Sequence, residues 1–600
     1  MRRAIVSQTG NPPSDMQTKN IFPMLSGSDI VIRSLVNHGV TVMFAYPGGF
    51  SMPLHQALTR YRDKIRVILP RHEQGGGFAA QGIARSTGEL GVCMTTSGPG
   101  ATNLLTAVAD AKLDSIPLLA ITAQVGTTSI GYDAFQEAPI TEVCRSITKH
   151  HYLISNVKDV ARIMKEAIYI ATTGRPGPVL VDIPKDVLVA QCQADFDVPM
   201  DLPGYQGDAP QASDAEVKIV ADAIRTAKRP VLYVGGGVIA AEASAELMKL
   251  AERTQIPVTT TLTALSAFPR EHRLSLGMPG MHGTAYANYT IADCDLLIGL
   301  GVRFTDRVTG KVSEFAKNAK IIHVDIDPSE IDKIKKTNVA IISDAAYFLT
   351  KLNRVVTPPD ADLSPWLAKI DDWKKRFPMK YETSAETIAP QQAIEALWVE
   401  TRDRETIIAT GVGQHQMWTA QFFKFKTPRT HLTSGGLGTM GFGLPAAMGA
   451  KVAQPDKLVI NIDGDGSLQM NIQEFGTCFC ENIPIKVMLL NNQHLGMVMQ
   501  WEDRFHASNR GNTYLGPVDH PEAFGQGVGI GPDVRYPDFC TIARGYGWQS
   551  RLVSKPDELA DAIREMVESQ GPFLLDVSIP YQHHVLPMIP AGATVQDIIL

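Results

Sequence analysis

The run Gly464-Asp465-Gly466-Ser467, with Asn491-Asn492 downstream of it, constrains the fold of this chain more than any other feature. The segment Lys457 to Ile462 reads as a buried strand, Ser467 to Cys480 as a helix and Pro484 to Leu490 as a second strand, making one βαβ unit. Leu468, Ile472, Phe475 and Phe479 recur at helical spacing and mark the expected buried stripe. A right-handed crossover returns the second strand parallel to the first, so Asp465 and Asn492 both emerge at the carboxyl edge of one sheet. A bare Gly-Asp-Gly is most often an ordinary turn with a solvated aspartate. The paired asparagines at this distance turn it into a site.

Two neighbouring oxygen donors suit magnesium, which takes near-octahedral oxygen ligands and keeps water readily. Asp465, the amide oxygen of Asn492, a backbone carbonyl at His494 and two diphosphate oxygens would fill most positions, while the glycines let the backbone approach the phosphates. Thiamine diphosphate is the cofactor this arrangement best explains. Thiamine catalysis also requires a glutamate against the pyrimidine ring nitrogen, so that the cofactor's own amine can take a proton from the thiazolium ring. Glu73 is the candidate. Arg71-His72-Glu73-Gln74-Gly75 follows an expected strand, Arg66 to Leu69, and opens a helix through Ala79-Ala80, where a lone carboxylate would otherwise only serve the helix dipole.

Strand-like apolar runs alternate with helical periods from Ser26 onward, which predicts an α/β chain with largely parallel sheets. At 600 residues the chain exceeds one core. Polar, proline-containing stretches at 191–214 and 356–387 divide it into domains at 25–190, 215–355 and 388–580. Residues 1–24 read as a flexible N-terminus; 581–600 are too apolar for a free tail and are expected to pack as a lid. In the middle domain, Val231 to Val234 leads into Gly235-Gly236-Gly237, a weak dinucleotide-binding pattern, and Ile321 to Val324 ends at Asp325, where an acid could meet a ribose hydroxyl.

A formal net charge of −6, dispersed rather than blocked, argues against nucleic-acid or anionic-membrane partners and for small-molecule chemistry. The seven cysteines form no C-x-x-C pair and are expected to be reduced core residues. No stretch resembles a secretory signal or a membrane span, so the expected location is cytoplasmic.

A set of ordered blocks then carries a family resemblance. They are Phe44-Ala45-Tyr46-Pro47-Gly48-Gly49, Arg71-His72-Glu73-Gln74, Thr96-Ser97-Gly98-Pro99-Gly100-Ala101-Thr102-Asn103, Asp133-Ala134-Phe135-Gln136-Glu137 and Gly174-Arg175-Pro176-Gly177-Pro178. Later come Gly280-Met281-His282-Gly283, Thr433-Ser434-Gly435-Gly436-Leu437-Gly438 and the run from Leu490 to Trp501. From Ser26 to Ile599 the chain resembles the catalytic large subunit of acetohydroxyacid synthase, also called acetolactate synthase.

The resemblance implies three doubly wound parallel-sheet domains, with pyrimidine-type and diphosphate-type thiamine-binding domains flanking a Rossmann-like FAD domain. It implies decarboxylation of pyruvate and transfer of the two-carbon unit to a second pyruvate or 2-oxobutanoate, the first common step of valine, leucine and isoleucine biosynthesis. Glu73 would activate the cofactor; Asp465, Asn492 and the His494 carbonyl would hold magnesium; Val412, Gly413, Gln414, His415, Gly466 and Ser467 would meet the diphosphate. Met440, after Gly438, would wedge under the cofactor, and Gln136 and Gly49 would line the reaction centre. FAD would meet Arg175, Gly235, Gly236, Thr261, Leu262, Met281, His282, Gly301, Arg303, Arg307, Asp325 and Asp344. Arg307 would bind the second oxoacid's carboxylate, Trp501 would wall its side chain, and Lys185 would sit near the access channel.

The smallest active unit implied is a homodimer, with the cofactor between the first domain of one chain and the third of another. Many relatives also bind a small regulatory subunit, for which no feature of this sequence speaks. Three residues depart from the family pattern: Phe50 stands where a small residue is usual, expected to narrow the pocket, Thr305 where an aspartate is usual, and Gly126 where a proline is usual. Phe50 and Thr305 keep open a related thiamine enzyme, such as a pyruvate oxidase or another carboligase; a silent paralogue acting as an assembly partner would sooner have lost Glu73 or Asp465.

Overall fold

The computed structural model describes residues 23–516 and 536–600, so most of the expected N-terminal tail lies outside the described residues. Three six-stranded sheets, each parallel throughout, account for the architecture. Their strands are short apolar runs buried on both faces, as in Leu118–Gln124 and Pro178–Pro184, where every residue is buried. The first sheet runs in the spatial order Arg66–Ile68, Val42–Ala45, Gly91–Thr95, Leu118–Gln124, Pro178–Pro184, His150–Leu153. The central order is Ser275–Gly277, Val258–Thr260, Pro230–Val234, Leu296–Leu300, Lys320–Asp325, Val339–Ile342. The third is His431–Leu432, Thr406–Thr410, Leu458–Gly464, Lys486–Asn491, Phe573–Ser578, Gln549–Val553. The expected α/β class and doubly wound parallel sheets are those observed.

Each sheet grows first to one side of its opening strand and then to the other, which leaves a crevice at the carboxyl ends of the two strands at the reversal. In the third sheet that crevice lies between Thr406–Thr410 and Leu458–Gly464, the strand that delivers Asp465.

The first and third sheets are joined by a shared core. Helix Glu73–Thr87 of the first packs along helix Gly443–Ala453 of the third, with the rings of Phe78 and Phe442 edge to face at 5.5 Å. A side chain at Gly82 would collide with the Ala446 carbonyl, and one at Gly449 with the Ala79 carbonyl, so both glycines let the backbones touch. The C-terminal segment spans the third and central regions: Val585 exchanges hydrogen bonds with the Gln500 amide, and Ile589 N donates to the Met281 carbonyl at 2.8 Å.

Several sequence expectations are corrected. The helix expected over 467–480 is broken into Asp465–Leu468, a 3-10 turn Gln469–Asn471 and Glu474–Cys480. Asn471 causes the interruption's anchorage, since its buried amide donates to the Gly441 carbonyl at 2.8 Å. Phe479 leaves the expected buried stripe and is 52% exposed, its ring lying over Gly547. Cys480 is likewise exposed, whereas the other six cysteines are buried and all seven are free. Met24, placed in the flexible start, belongs to a strand Met24–Ser26 paired antiparallel with Gln191–Gln193. The polar stretch 356–387 contains a helix, Ser364–Arg376, whose Trp366 is buried and donates to the Pro230 carbonyl at 3.2 Å. No described helix is long and apolar enough to cross a membrane.

Candidate active site

Asp465 and Asn492 lie just beyond neighbouring strands, paired through Gly464 and Leu490, and line one cleft of about 490 Å³ with Val412–His415, Met440, Gly466, Ser467 and His494. Asp465 is buried; one oxygen accepts from Gly466 N at 3.0 Å and the other from the Tyr536 hydroxyl at 2.7 Å. Burial pushes its carboxyl up to about 6, a cost that an adjacent divalent cation would reverse. The two asparagines diverge. Asn491 turns inward to donate to Asp576, whereas Asn492 faces the cleft, its Oδ1 accepting from His494 N at 3.1 Å and its amide nitrogen 3.4 Å from Gln414 Oε1.

Gln414 is in turn held by Gln500 and by the carbonyl of His583, so the C-terminal segment supports the cleft wall. Ser467 Oγ accepts from Gly441 N and lies 3.4 Å from Val412 N, tying together the loops on which Met440 and Gly413 stand. His415 is buried beside Asp463, and burial lowers its ring to about 3, keeping it neutral. Among the described residues no group of three or more His, Cys, Asp or Glu side chains could hold a metal. The Asp465 carboxylate with the Asn492 amide oxygen and a backbone carbonyl fits a hard cation that takes its remaining ligands from a diphosphate and water.

Glu73 opens helix Glu73–Thr87, and its carboxylate accepts from the Asn103 amide at 3.0 Å. A side chain at Gly100 would lie 3.3 Å from Glu73, one at Gly98 would lie 2.7 Å from the Gln136 carbonyl, and one at Gly48 would strike Thr96. The first domain thus gathers Glu73, Gln136 and the Gly48-Gly49 turn at one edge of its sheet. The loop with Gln136 is exposed, as are Tyr132 at 80% and Phe135 at 81%.

In the central sheet Gly235, Thr261, Gly301 and Asp344 follow the carboxyl ends of strands, and Asp325 is the last residue of one. A side chain at Gly236 would meet only the Thr263 hydroxyl, at 3.1 Å, which leaves a cradle for an extended ligand. His282 is buried, its Nδ1 has no hydrogen-bond partner, and burial lowers it to about 4. These features fit a flavin. The acids have protein partners as well: Asp325 accepts from Asp327 N at 2.9 Å and Asp344 caps helix Ala345–Val355. Arg175 reaches over from the first domain to pair with Asp327 at 3.0 Å and Glu330 at 2.7 Å. Arg303 points toward Asp114 at 3.8 Å.

The thiamine pyrophosphate enzyme N-terminal TPP binding domain matches residues 25–146, the central domain 217–352 and the C-terminal TPP binding domain 411–577. "Acetolactate synthase 3, chloroplastic" of Brassica napus is 52% identical over 579 residues, covering 96% of this chain and 86% of the relative. "Acetolactate synthase 1, chloroplastic" of Zea mays is 52% identical over 96% of this chain and 88% of its own length. The Arabidopsis thaliana acetolactate synthase is 51% identical, with 96% and 84% covered. The chain belongs to the acetolactate synthase family of thiamine pyrophosphate enzymes.

The expected acetolactate synthase activity stands with that membership: pyruvate is decarboxylated on thiamine diphosphate and the two-carbon unit passes to a second 2-oxoacid. The expected cytoplasmic location is overturned, because these acetolactate synthases are chloroplastic.

The structure does not gather every expected residue. Arg307, on the short helix Asp306–Thr309, has a side chain 64% exposed with Asp306 4.0 Å away. Trp501, on helix Gly496–Phe505, is half-buried with its ring 4.9 Å from Phe505. Phe50 packs against the first-domain core under the Lys185 ammonium, 5.6 Å above its ring. Thr127 donates to Asp186, the neighbour of Lys185, at 3.0 Å. Sequence reasoning missed Tyr536 and Asn103. Only Asn103 carried a signal, its place in the Thr96–Asn103 block.

Proposed function

We propose that Asp465, Asn492 and the His494 carbonyl hold a magnesium ion, with Val412–His415 and Gly466-Ser467 at the diphosphate and Met440 beside them. The observation that carries this is the meeting of Asp465, Asn492 and the Gly413–His415 turn in one cleft at the sheet's reversal point. Thiamine diphosphate, when bound, supplies a nucleophilic carbon and an electron sink for the lost carboxylate.

Glu73, oriented by Asn103, would hold a proton at its carboxylate against the pyrimidine ring. Arg307, its side chain 64% exposed and 4.0 Å from Asp306, would take the second oxoacid's carboxylate bidentately, and Trp501 would bear on that substrate's side chain. His282, Gly236 and the strand ends around them would hold FAD. Because net oxidation is absent from the reaction, the flavin's part would be structural. The half-exposed Glu73 edge of the first domain suits a second copy, whose third domain would supply the other half of the site.

The test incubates purified protein with thiamine diphosphate, magnesium, FAD and pyruvate, with and without 2-oxobutanoate, following products by NMR. Acetolactate at half the molar amount of pyruvate consumed is expected, lost when magnesium is chelated. Acetaldehyde, acetate or acetyl phosphate would overturn the assignment of substrate roles.

A further inference from the structure

Glu474 is a wholly buried carboxylate that the reaction described so far does not use. It opens the helix Glu474–Cys480 in the third domain, on the same run of chain as Asp465, yet the backbone amides it accepts from lie in the first domain. Oε1 accepts from Arg71 N and from His72 N, both at 3.1 Å, and Oε2 accepts from Arg71 N at 3.1 Å and from the Thr477 hydroxyl at 2.7 Å. Arg71 and His72 are the two residues before Glu73, and His72 is the cap of the helix that Glu73 opens, its ring accepting from Gln74 N at 3.1 Å. One turn into that helix, a side chain at Gly75 would collide with Glu474 Oε1, so the glycine keeps the carboxylate's place open.

We propose that Glu474 is a positioning residue for Glu73, fixing from the third domain the backbone from which the Glu73 carboxylate projects. The inference rests on the reading of Glu73 given above. Among the described residues the long Glu73 side chain is held by the Asn103 amide, so the placement of its carboxylate depends on where its helix begins. Reactive groups tolerate displacements well below 1 Å before rates fall, roughly a hundredfold for a full ångström. A carboxylate at a helix start is favoured by the helix dipole and by the unpaired amides there. Arg71 and these hydrogen bonds oppose a burial that lifts the Glu474 carboxyl to about 6. A join between domains that served stability alone would be made at lower cost by apolar side chains. Within one chain the run 465–480 thereby links its own diphosphate cleft to a glutamate that, in the dimer proposed above, serves the site of the second copy.

The experiment uses the full chain with thiamine diphosphate, magnesium and FAD, comparing wild type with Glu474→Gln, Gly75→Ala and Glu73→Gln. Deuterium exchange at the thiazolium C2 position is read by quenched-flow proton NMR, cofactor affinity by tryptophan fluorescence, and stability by urea unfolding. For Glu474→Gln and Gly75→Ala, exchange and kcat should each fall about tenfold or more while cofactor Kd and pyruvate KM stay within about threefold. Exchange within about twofold of wild type in both variants, with only the urea midpoint lowered, would overturn the proposal. If Glu474→Gln does not fold, Gly75→Ala, which keeps the carboxylate but displaces it, decides by the same criteria. Wild-type exchange in Glu73→Gln would instead sink the reading of Glu73 itself.

Discussion

Asp182 and Asp465 both sit buried near strand ends, and their surroundings differ in what they ask of charge. Asp182 accepts from the Thr122 hydroxyl at 2.7 Å and the Gln124 amide at 3.0 Å, and burial pushes its carboxyl up to about 7. The folded chain therefore holds a proton there more tightly than the unfolded chain does. That contribution to stability is fully present below the ordinary carboxyl range and is lost as pH rises through about 7. Between about pH 4 and 7 the slope from this group approaches, at most, about 1.4 kcal/mol per pH unit. Asp182→Asn should flatten urea-unfolding stability across that window relative to wild type, and parallel profiles for the two proteins would count against it. Asp465 carries a similar burial cost, but the cleft in front of it has room for a cation.

Candidates for the site were legible in the residues wherever the chemistry demands a residue type in a recognisable run, as with Glu73, Asp465 and Asn492. Their supports were not. Tyr536 holds Asp465 across 71 residues and Glu474 holds Arg71 across 403, and no local pattern encodes either pairing.

Helix Glu73–Thr87 is where local pattern and tertiary packing part company. Its start was readable from the strand before it and the carboxylate at its first position. Its neighbour was not readable, because the glycines at 82 and 449 announce a close approach only once the two backbones are in place. Gly449→Ala would gain helix propensity in isolation, yet its methyl group would meet the Ala79 carbonyl. The expected net effect is a loss of about 1–3 kcal/mol, seen as a lower urea midpoint. An unchanged or raised midpoint would show that the helices separate without penalty. The broken segment after Asp465 teaches the same lesson in reverse: its apolar spacing fits one helix, but the anchoring of Asn471 to Gly441 interrupts it.

Assembly of the whole molecule follows from where the two half-sites face. Within one chain the first and third domains share a core through Phe78 and Phe442, while the edge bearing Glu73, Gln136 and exposed Phe135 opens outward. If that edge completes the cleft of a second copy, Glu73→Gln and Asp465→Asn chains should each be nearly inactive alone. Their mixed dimer should regain a fraction of wild-type activity, since one of its two sites then carries neither substitution. Absence of recovery in heterodimers verified by dual-tag purification would argue that each chain completes its own site.

The α/β class, the parallel sheets, the family and a set of candidate site residues could be reached from the order of residues. Periodicity, crossover handedness and cofactor demands act over short stretches and leave a readable mark. Which helices touch, how the C-terminal segment braces Gln414 and Gln500, and which distant carboxylate steadies Glu73 came only with the folded chain. Those contacts join residues up to 403 positions apart, and their energies depend on burial and mutual geometry that exist only after packing.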